Sequence, residues 1–322
     1  MRAIVTSVGP LAAANTSIIS ASQVVPGATA LAIDGADSTG YSATNIATTT
    51  GNGASTTTVT LNGSKVVSGV ALLFPPQPVV LVSAGNDSTK TWTVTGLGPD
   101  NRTSVVEKVA AANASRVSTI NSFCQVLSIK LSSGSAGNVS AGTNGTATLD
   151  VSRRVLVTSG GTDTGITFTI TGVSKSGVPM SEVLTGGSSG SPVYTAQNFI
   201  NITQIIASAA SASTVIVGTN GVANSPHVRL DDYAMSQIAI QCTVVGTVNY
   251  TVQSTLDDPN DPSNPVTSQN LTWVNTNDTN AVGQTATIQT NFAYPPRYTR
   301  VLLNSGSGSV TMTVLQPTNV MS

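Results

Sequence analysis

Apolar and polar side chains alternate with a period of two along most of this chain, the mark of half-buried β-strands. Thr91-Trp92-Thr93-Val94-Thr95 places Trp92 and Val94 on one face and threonines on the other. Ile166, Phe168 and Ile170 alternate with Thr167, Thr169 and Thr171 in the same way, and Val248, Tyr250 and Val252 continue the pattern. Threonine is β-branched and suits the outward positions of a strand. Such segments recur at roughly 8–12-residue spacing between Gly, Asn and Ser turns, which points to sandwiches. The expected fold class is all-β, with tandem immunoglobulin-like or jelly-roll β-sandwich modules and essentially no helix.

The pattern is also repeated. VVLVSAGNDSTKTWTVTG at 79–96 returns as VLVTSGGTDTGITFTITG at 155–172, a gap-free offset of 76 residues. The offset extends to Ala71 and Ala147, Leu73 and Leu149, Phe123 and Phe199, Ile129 and Ile205, and the closing Gly-Thr-Asn-Gly at 142–145 and 218–221. A module of this size is too long for a solenoid repeat and fits a small sandwich. The comparison also settles a local ambiguity. Residues 104–122 carry good helix formers, but their counterpart, MSEVLTGGSSGSPVYTAQN, is too rich in Gly, Ser and Pro for a helix, so both read as strand–loop–strand. The organisation is 1–69, an N-terminal extended arm; 70–145 and 146–221, the two repeats; and 222–322, a C-terminal sandwich.

Within the arm, Ile4-Val5, Ser17–Val25 and Ala28–Ile33 are apolar enough for strands. Residues 36–56 have few apolar anchors and read as a long loop. Thr57–Leu61 followed by Asn62-Gly63 reads as a hairpin, with return strands at Val66-Val67 and Val70–Phe74. The region is expected to be peripheral and to pack on a neighbouring subunit.

Composition narrows the function. Charged residues make up 8% of the chain, where about 25% is usual, and the net charge is −1. With 39% apolar residues the chain can still build a core, which disfavours disorder. The cations are scattered, Arg153-Arg154 being the only basic doublet, so no nucleic-acid surface is expected. No apolar run approaches the ~20 residues of a membrane helix, and the N-terminus does not read as a signal peptide. A near-neutral surface favours life in an assembly. Cys124 and Cys242 fall in different modules and read as small buried thiols, not as a disulfide.

Motifs with catalytic or ligand-binding associations each have a simpler account. Asp163-Thr164-Gly165 spells an aspartic-protease triplet, but its repeat partner is Asp87-Ser88-Thr89, without the glycine, which suits a loop aspartate bonding its own backbone. Gly186-Gly187-Ser188-Ser189-Gly190 matches a nucleophile elbow without the helix that should follow it. His227 is the only histidine and has no ligand-spaced partners. Asp257, Asp258, Asn260 and Asp261 lack the spacing of a calcium loop. Trp92 occupies the position of Phe168 and reads as core, whereas Trp273 is a candidate sugar platform. The expectation is no enzyme: no catalytic residue, no cofactor and no metal.

Several runs resemble phrases common in structural proteins of tailed-bacteriophage virions. They are Arg153–Ser159, Gly165–Gly172, Ser181-Glu182-Val183 with its glycine-rich loop, Val217–Gly221, Gly246–Gln253 and Asp257-Asp258-Pro259. The resemblance covers about 60–322 and implies a virion component. A capsid decoration (cement) protein on the capsid surface is favoured, bound to the major capsid protein and to copies of itself, with a trimer favoured. A tail or head–tail connector component is the alternative, and a host-facing glycan-binding adhesin using Trp273 and the 254–270 loop is a third.

Overall fold

The computed structural model describes residues 2–11, 14–50, 58–175, 177–230, 238–267, 270–292 and 294–316. Among these the chain is built of antiparallel strands, and the one helical segment is a 3-10 turn at Thr279–Ala281. The N-terminal region supplies β1 (Arg2–Val8), β2 (Asn15–Val24), β3 (Thr29–Ala30), β4 (Ser38–Thr39), β5 (Ser42–Thr50), β6 (Thr58–Val59) and β7 (Val66–Val67). Repeat one follows with β8 (Val70–Gln77), β9 (Val79–Ser83), β10 (Thr91–Leu97), β11 (Ser104–Ala110), β12 (Arg116–Ser118), β13 (Phe123–Leu131) and β14 (Val139–Thr143). Repeat two restates them as β15 (Thr146–Arg153), β16 (Val155–Ser159), β17 (Thr167–Val173), β18 (Pro179–Thr185), β19 (Val193–Tyr194), β20 (Phe199–Ala207) and β21 (Thr214–Thr219). The C-terminal unit holds β22 (Ala223–Asn224), β23 (Val228–Arg229), β24 (Ile238–Val245), β25 (Asn249–Thr255), β26 (Val274–Asn275), β27 (Ile288–Phe292), β28 (Tyr298–Ser305) and β29 (Ser309–Gln316).

Three separate apolar cores organise these strands, one for each unit. Trp92, Phe123 and Ile129 centre repeat one, and Phe168, Phe199 and Ile205 occupy the matching places in repeat two. The bulges match as well. The register slips between Thr95 and Gly96 in one copy and between Thr171 and Gly172 in the other. A side chain at either glycine would run into the carbonyl oxygen of Gln125 or Asn201, at 2.0 Å in both copies.

The N-terminal region differs from the expected arm. Its strands pair within the chain, and they serve all three units. β1 pairs with β29 and so completes the C-terminal sandwich. β2 pairs with β21 of repeat two. β5 pairs with β14 of repeat one. The expected loop over 36–56 therefore contains a nine-residue strand, β5, and a short one, β4; residues 51–57 lie outside the described residues. The expected hairpin at Asn62-Gly63 does not form either. β6 pairs with β13, and β7 turns back onto β8 through Ser68-Gly69, both residues at positive φ (51° and 79°). Asn62-Gly63 instead backs onto β5: a Cβ at Gly63 would lie 2.4 Å from the Asn45 carbonyl oxygen.

These contacts expose a second repeat. Ser42 and Ala47 face Thr143 and Ala141 in repeat one, while Asn15 and Ser20 face Thr219 and Val217 in repeat two, so β2 and β5 are equivalent at a spacing of 27 residues. Ile19 and Ile46 are the matching core anchors, both fully buried. Gly35 N–H donates to the Ile19 carbonyl as Gly63 N–H does to Ile46, and Asp37 and Lys65 N–H donate to Ile18 and Asn45. Asp34 Oδ1 accepts from Ala21 N–H at 3.0 Å, and Asn62 Oδ1 accepts from Thr48 N–H at 2.8 Å. Residues 15–39 thus complete repeat two, and residues 42–50 and 58–67 complete repeat one.

The order is nested: the first N-terminal strand serves the last unit. Short connections explain it. Thr39 is followed almost at once by Ser42, Val67 by Val70, and Thr143 by Thr146. Links of two residues cannot step over a sandwich, because n residues reach at most about 3.5 Å × n. A chain that visits the units in one order with single segments must return through them in reverse. The two repeats are joined further by β3, which pairs with β20 on one side and β12 on the other, making one ten-stranded sheet through both.

Candidate functional site

The carboxylates singled out in the sequence hold the scaffold. Asp87, fully buried, accepts from Ser83 Oγ, from Lys90 Nζ and from Ala136 N–H (2.8 Å). Asp163 accepts from Ala212 N–H at 2.7 Å, the matching bond in repeat two. Both aspartates therefore pin the backbone of the loop before the last strand of their repeat, 49 residues on, where the sequence had suggested a bond to their own backbone. The chain's two glutamates are likewise a matched pair. Glu107 accepts from Ile120 and Asn121 N–H, and Glu182 from Ala196 and Gln197 N–H. Burial by itself would raise the Asp87 pKa; the hydrogen bonds from Lys90, Ser83 and Ala136 and the Lys90 charge outweigh it and hold the pKa below the ordinary value.

The other motifs are distributed in the same way. The Gly186–Gly190 loop is followed by strand β19, and Ser189 Oγ donates to the Gly160 carbonyl. In the 257–262 loop, Asp257 accepts from Thr272 N–H, Asp258 from Asn260 N–H, and Asp261 from Ser263 and Asn264 N–H. Among the described residues no group of three or more His, Cys, Asp or Glu side chains converges. Cys124 and Cys242 are both free thiols buried in different units. Trp92 is 1% exposed and belongs to the core of repeat one.

One cluster does bring functional groups together, where repeat two meets the C-terminal unit. Arg154 follows β15, and its guanidinium carbon lies 5.3 Å from the centroid of Tyr194 on β19. Across the junction, Arg300 on β28 stacks over Trp273, 4.1 Å from the ring centroid. Arg300 Nε and Nη2 both donate to Oε1 of Gln253, its neighbour in register on β25, at 3.0 and 2.8 Å. His227, between β22 and β23, packs edge-on against Tyr298 at 5.1 Å and faces Trp273 at 6.1 Å. Partial burial there, then the Arg300 charge, lowers the His227 pKa. Burial, then the charge of Arg154, lowers that of Arg300. The arrangement has hydrogen-bond donors, positive charge and aromatic walls.

The sequence flagged His227 and Trp273 separately and could not join them to Arg300. Arg154 had a signal: the Arg153-Arg154 doublet stands where repeat one has Gln77-Pro78. Of the two, Arg153 is structural, buried and ion-paired to Asp150. No protein-family model, curated protein or solved structure matches this chain.

Proposed function

We propose that this chain is a non-enzymatic structural protein of a tailed-phage virion, acting as a capsid decoration protein that binds the shell through the outer face of repeat one. The observation that carries the reading is a difference between the two repeats. On the outer face of the sheet β11-β10-β13-β8-β7, Phe74 (61% exposed), Leu127, Val106 and Val67 are all exposed. The matching positions of repeat two hold Asp150, Thr203, Ser181 and Thr39, all polar. At these four positions the same scaffold thus carries apolar side chains in one copy and polar ones in the other, while Val183 of repeat two is exposed where repeat one has Lys108; exposed apolar patches mark interaction surfaces. The internal use of the carboxylates and the resemblance of several sequence runs to virion proteins favour structural work over chemistry.

The test exploits the repeat. Phe74→Asp and Leu127→Thr each install the residue that repeat two already tolerates, so the fold is expected to survive. Purified variant and parent are added to shells lacking the protein, and bound copies are counted by quantitative mass spectrometry and cryo-electron microscopy. Hundreds of copies for the parent and loss of binding for the double variant are expected. Six or twelve copies confined to the tail would favour a tail or connector role, and no particle association would sink the virion reading.

A further inference from the structure

The two junctions of the chain neutralise their arginines differently. Between the repeats, Arg116 Nη2 contacts Asp34 Oδ2 at 2.5 Å and donates to the Ala21 carbonyl, and Thr29 Oγ1 donates to the Ser118 carbonyl at 2.6 Å. Charge is paired and the sheet is continuous. At the second junction neither Arg154 nor Arg300 forms an ion pair with a carboxylate among the described residues. Glu182 is close enough for Arg154 to sense its charge, but both its oxygens already accept backbone N–H groups. Arg300 is only 8% exposed, and among the described residues its acceptor is the neutral Gln253 amide. The Nε of Arg154 is buried without an acceptor, and the side-chain oxygens of Asn198 and Asn224 in the same junction are buried without a donor.

A buried cation that contacts no carboxylate is unfavourable, and the charge of Arg154 adds to the penalty at Arg300. By contrast, Arg229 and Arg297 in the same unit approach Asp258 at 3.8 and 3.9 Å. An arrangement of this kind is relieved by an anion, and guanidinium forks match planar carboxylates best. We propose that the junction is a binding site for a small organic carboxylate of the acidic-sugar type, with the carboxylate held between Arg154 and Arg300 and the carbon skeleton against the aromatic rim of Tyr194, His227 and Trp273. The site stands independently of the virion reading, since it uses none of the repeat-one surface.

Tryptophan fluorescence tests it. Trp92→Phe, which installs the Phe168 residue of repeat two, leaves Trp273 as the only reporter. The full chain in this background is titrated with glucuronate, with glucose, acetate and inorganic phosphate in parallel, at constant ionic strength set with chloride. The expected result is a saturable Trp273 response to glucuronate, a weaker one to acetate and none to glucose. Arg154→Gln, at a half-buried position, is expected to weaken glucuronate binding at least ten-fold with an unchanged circular dichroism spectrum. Arg300→Gln is expected to weaken glucuronate binding likewise, and thermal shift of the Arg154→Gln and parent samples with and without glucuronate gives a second readout if Arg300→Gln proves unstable. A response no larger than that of chloride, one that survives Arg154→Gln, or one seen with phosphate and not with glucuronate overturns the assignment.

Discussion

Nested pairing makes a prediction opposite to the one chain order suggests. Ile19 lies nearer the N-terminus than Ile46, yet it belongs to the core of repeat two, and Ile46 to that of repeat one. Both are fully buried. Ile→Ala removes three carbons, worth about 0.8 kcal/mol each in transfer, and leaves a cavity, so about 2–5 kcal/mol is lost from the unit concerned. With a urea dependence of about 1.5 kcal/mol per M for a unit of this size, the midpoint should fall by about 2 M. The reporters are at hand. In a Trp273→Phe background Trp92 reads repeat one alone, and the exchange Trp92→Phe with Phe168→Trp moves the reporter to repeat two using residues the scaffold already carries. Ile46→Ala is expected to shift the Trp92 transition by the full amount, and Ile19→Ala the Phe168→Trp transition. Coupling through β3 should pass on less than half of either effect to the neighbouring repeat. If Ile19→Ala shifts the Trp92 transition as much as Ile46→Ala does, the nested assignment is wrong.

Two further outcomes follow from buried ionisable groups. Asp87 has its pKa depressed in the folded state, so the unfolded chain binds its proton more readily. Its stabilisation is complete above the unfolded value of about 3.9 and is lost as pH falls through the lower folded value. Asp87→Asn should lower repeat-one stability by about 1–3 kcal/mol at pH 7 and flatten its decline below about pH 4; urea midpoints read at Trp92 that keep the parental slope would contradict this. Burial pushes the Cys242 thiol pKa up to about 12. In a Cys124→Ala background, a disulfide reagent at pH 8 should therefore react only as the C-terminal unit opens, with a rate that climbs with urea; complete labelling within seconds in native buffer would refute it.

The sequence made some of this architecture plain and hid the rest for identifiable reasons. The 76-residue repeat was legible because its strands alternate cleanly and its loops keep their length, down to the Asp87 and Asp163 pair that ties the same loop in both copies. The 27-residue repeat was not. Its main strands are edge strands, β2 and β5, each paired on one side through registers broken by irregularities, which erases the period-two signal. Ile19 and Ile46 are the fully buried branched aliphatics that the two strands hold in common, and Asp34 matches Asn62 by hydrogen-bonding role and not by identity. A segment so poor in apolar anchors looks like an arm because by itself it cannot bury enough surface to fold.

That poverty has a consequence for assembly of the fold. No unit can close until its partner strand, made earlier, has been captured by sequence made later: β5 waits for repeat one, β2 for repeat two, and β1 for the C-terminal strand β29. Loop closure becomes dearer with separation, though only logarithmically, so repeat one should form first and the β1–β29 pairing last. Each closure also shortens the next, since a folded repeat one brings residues 15–39 next to the end of β14 through Asn144, whose side chain bonds both Leu31 and Ile33. The nested order is thus the one in which each completed sandwich delivers the strand needed by the next.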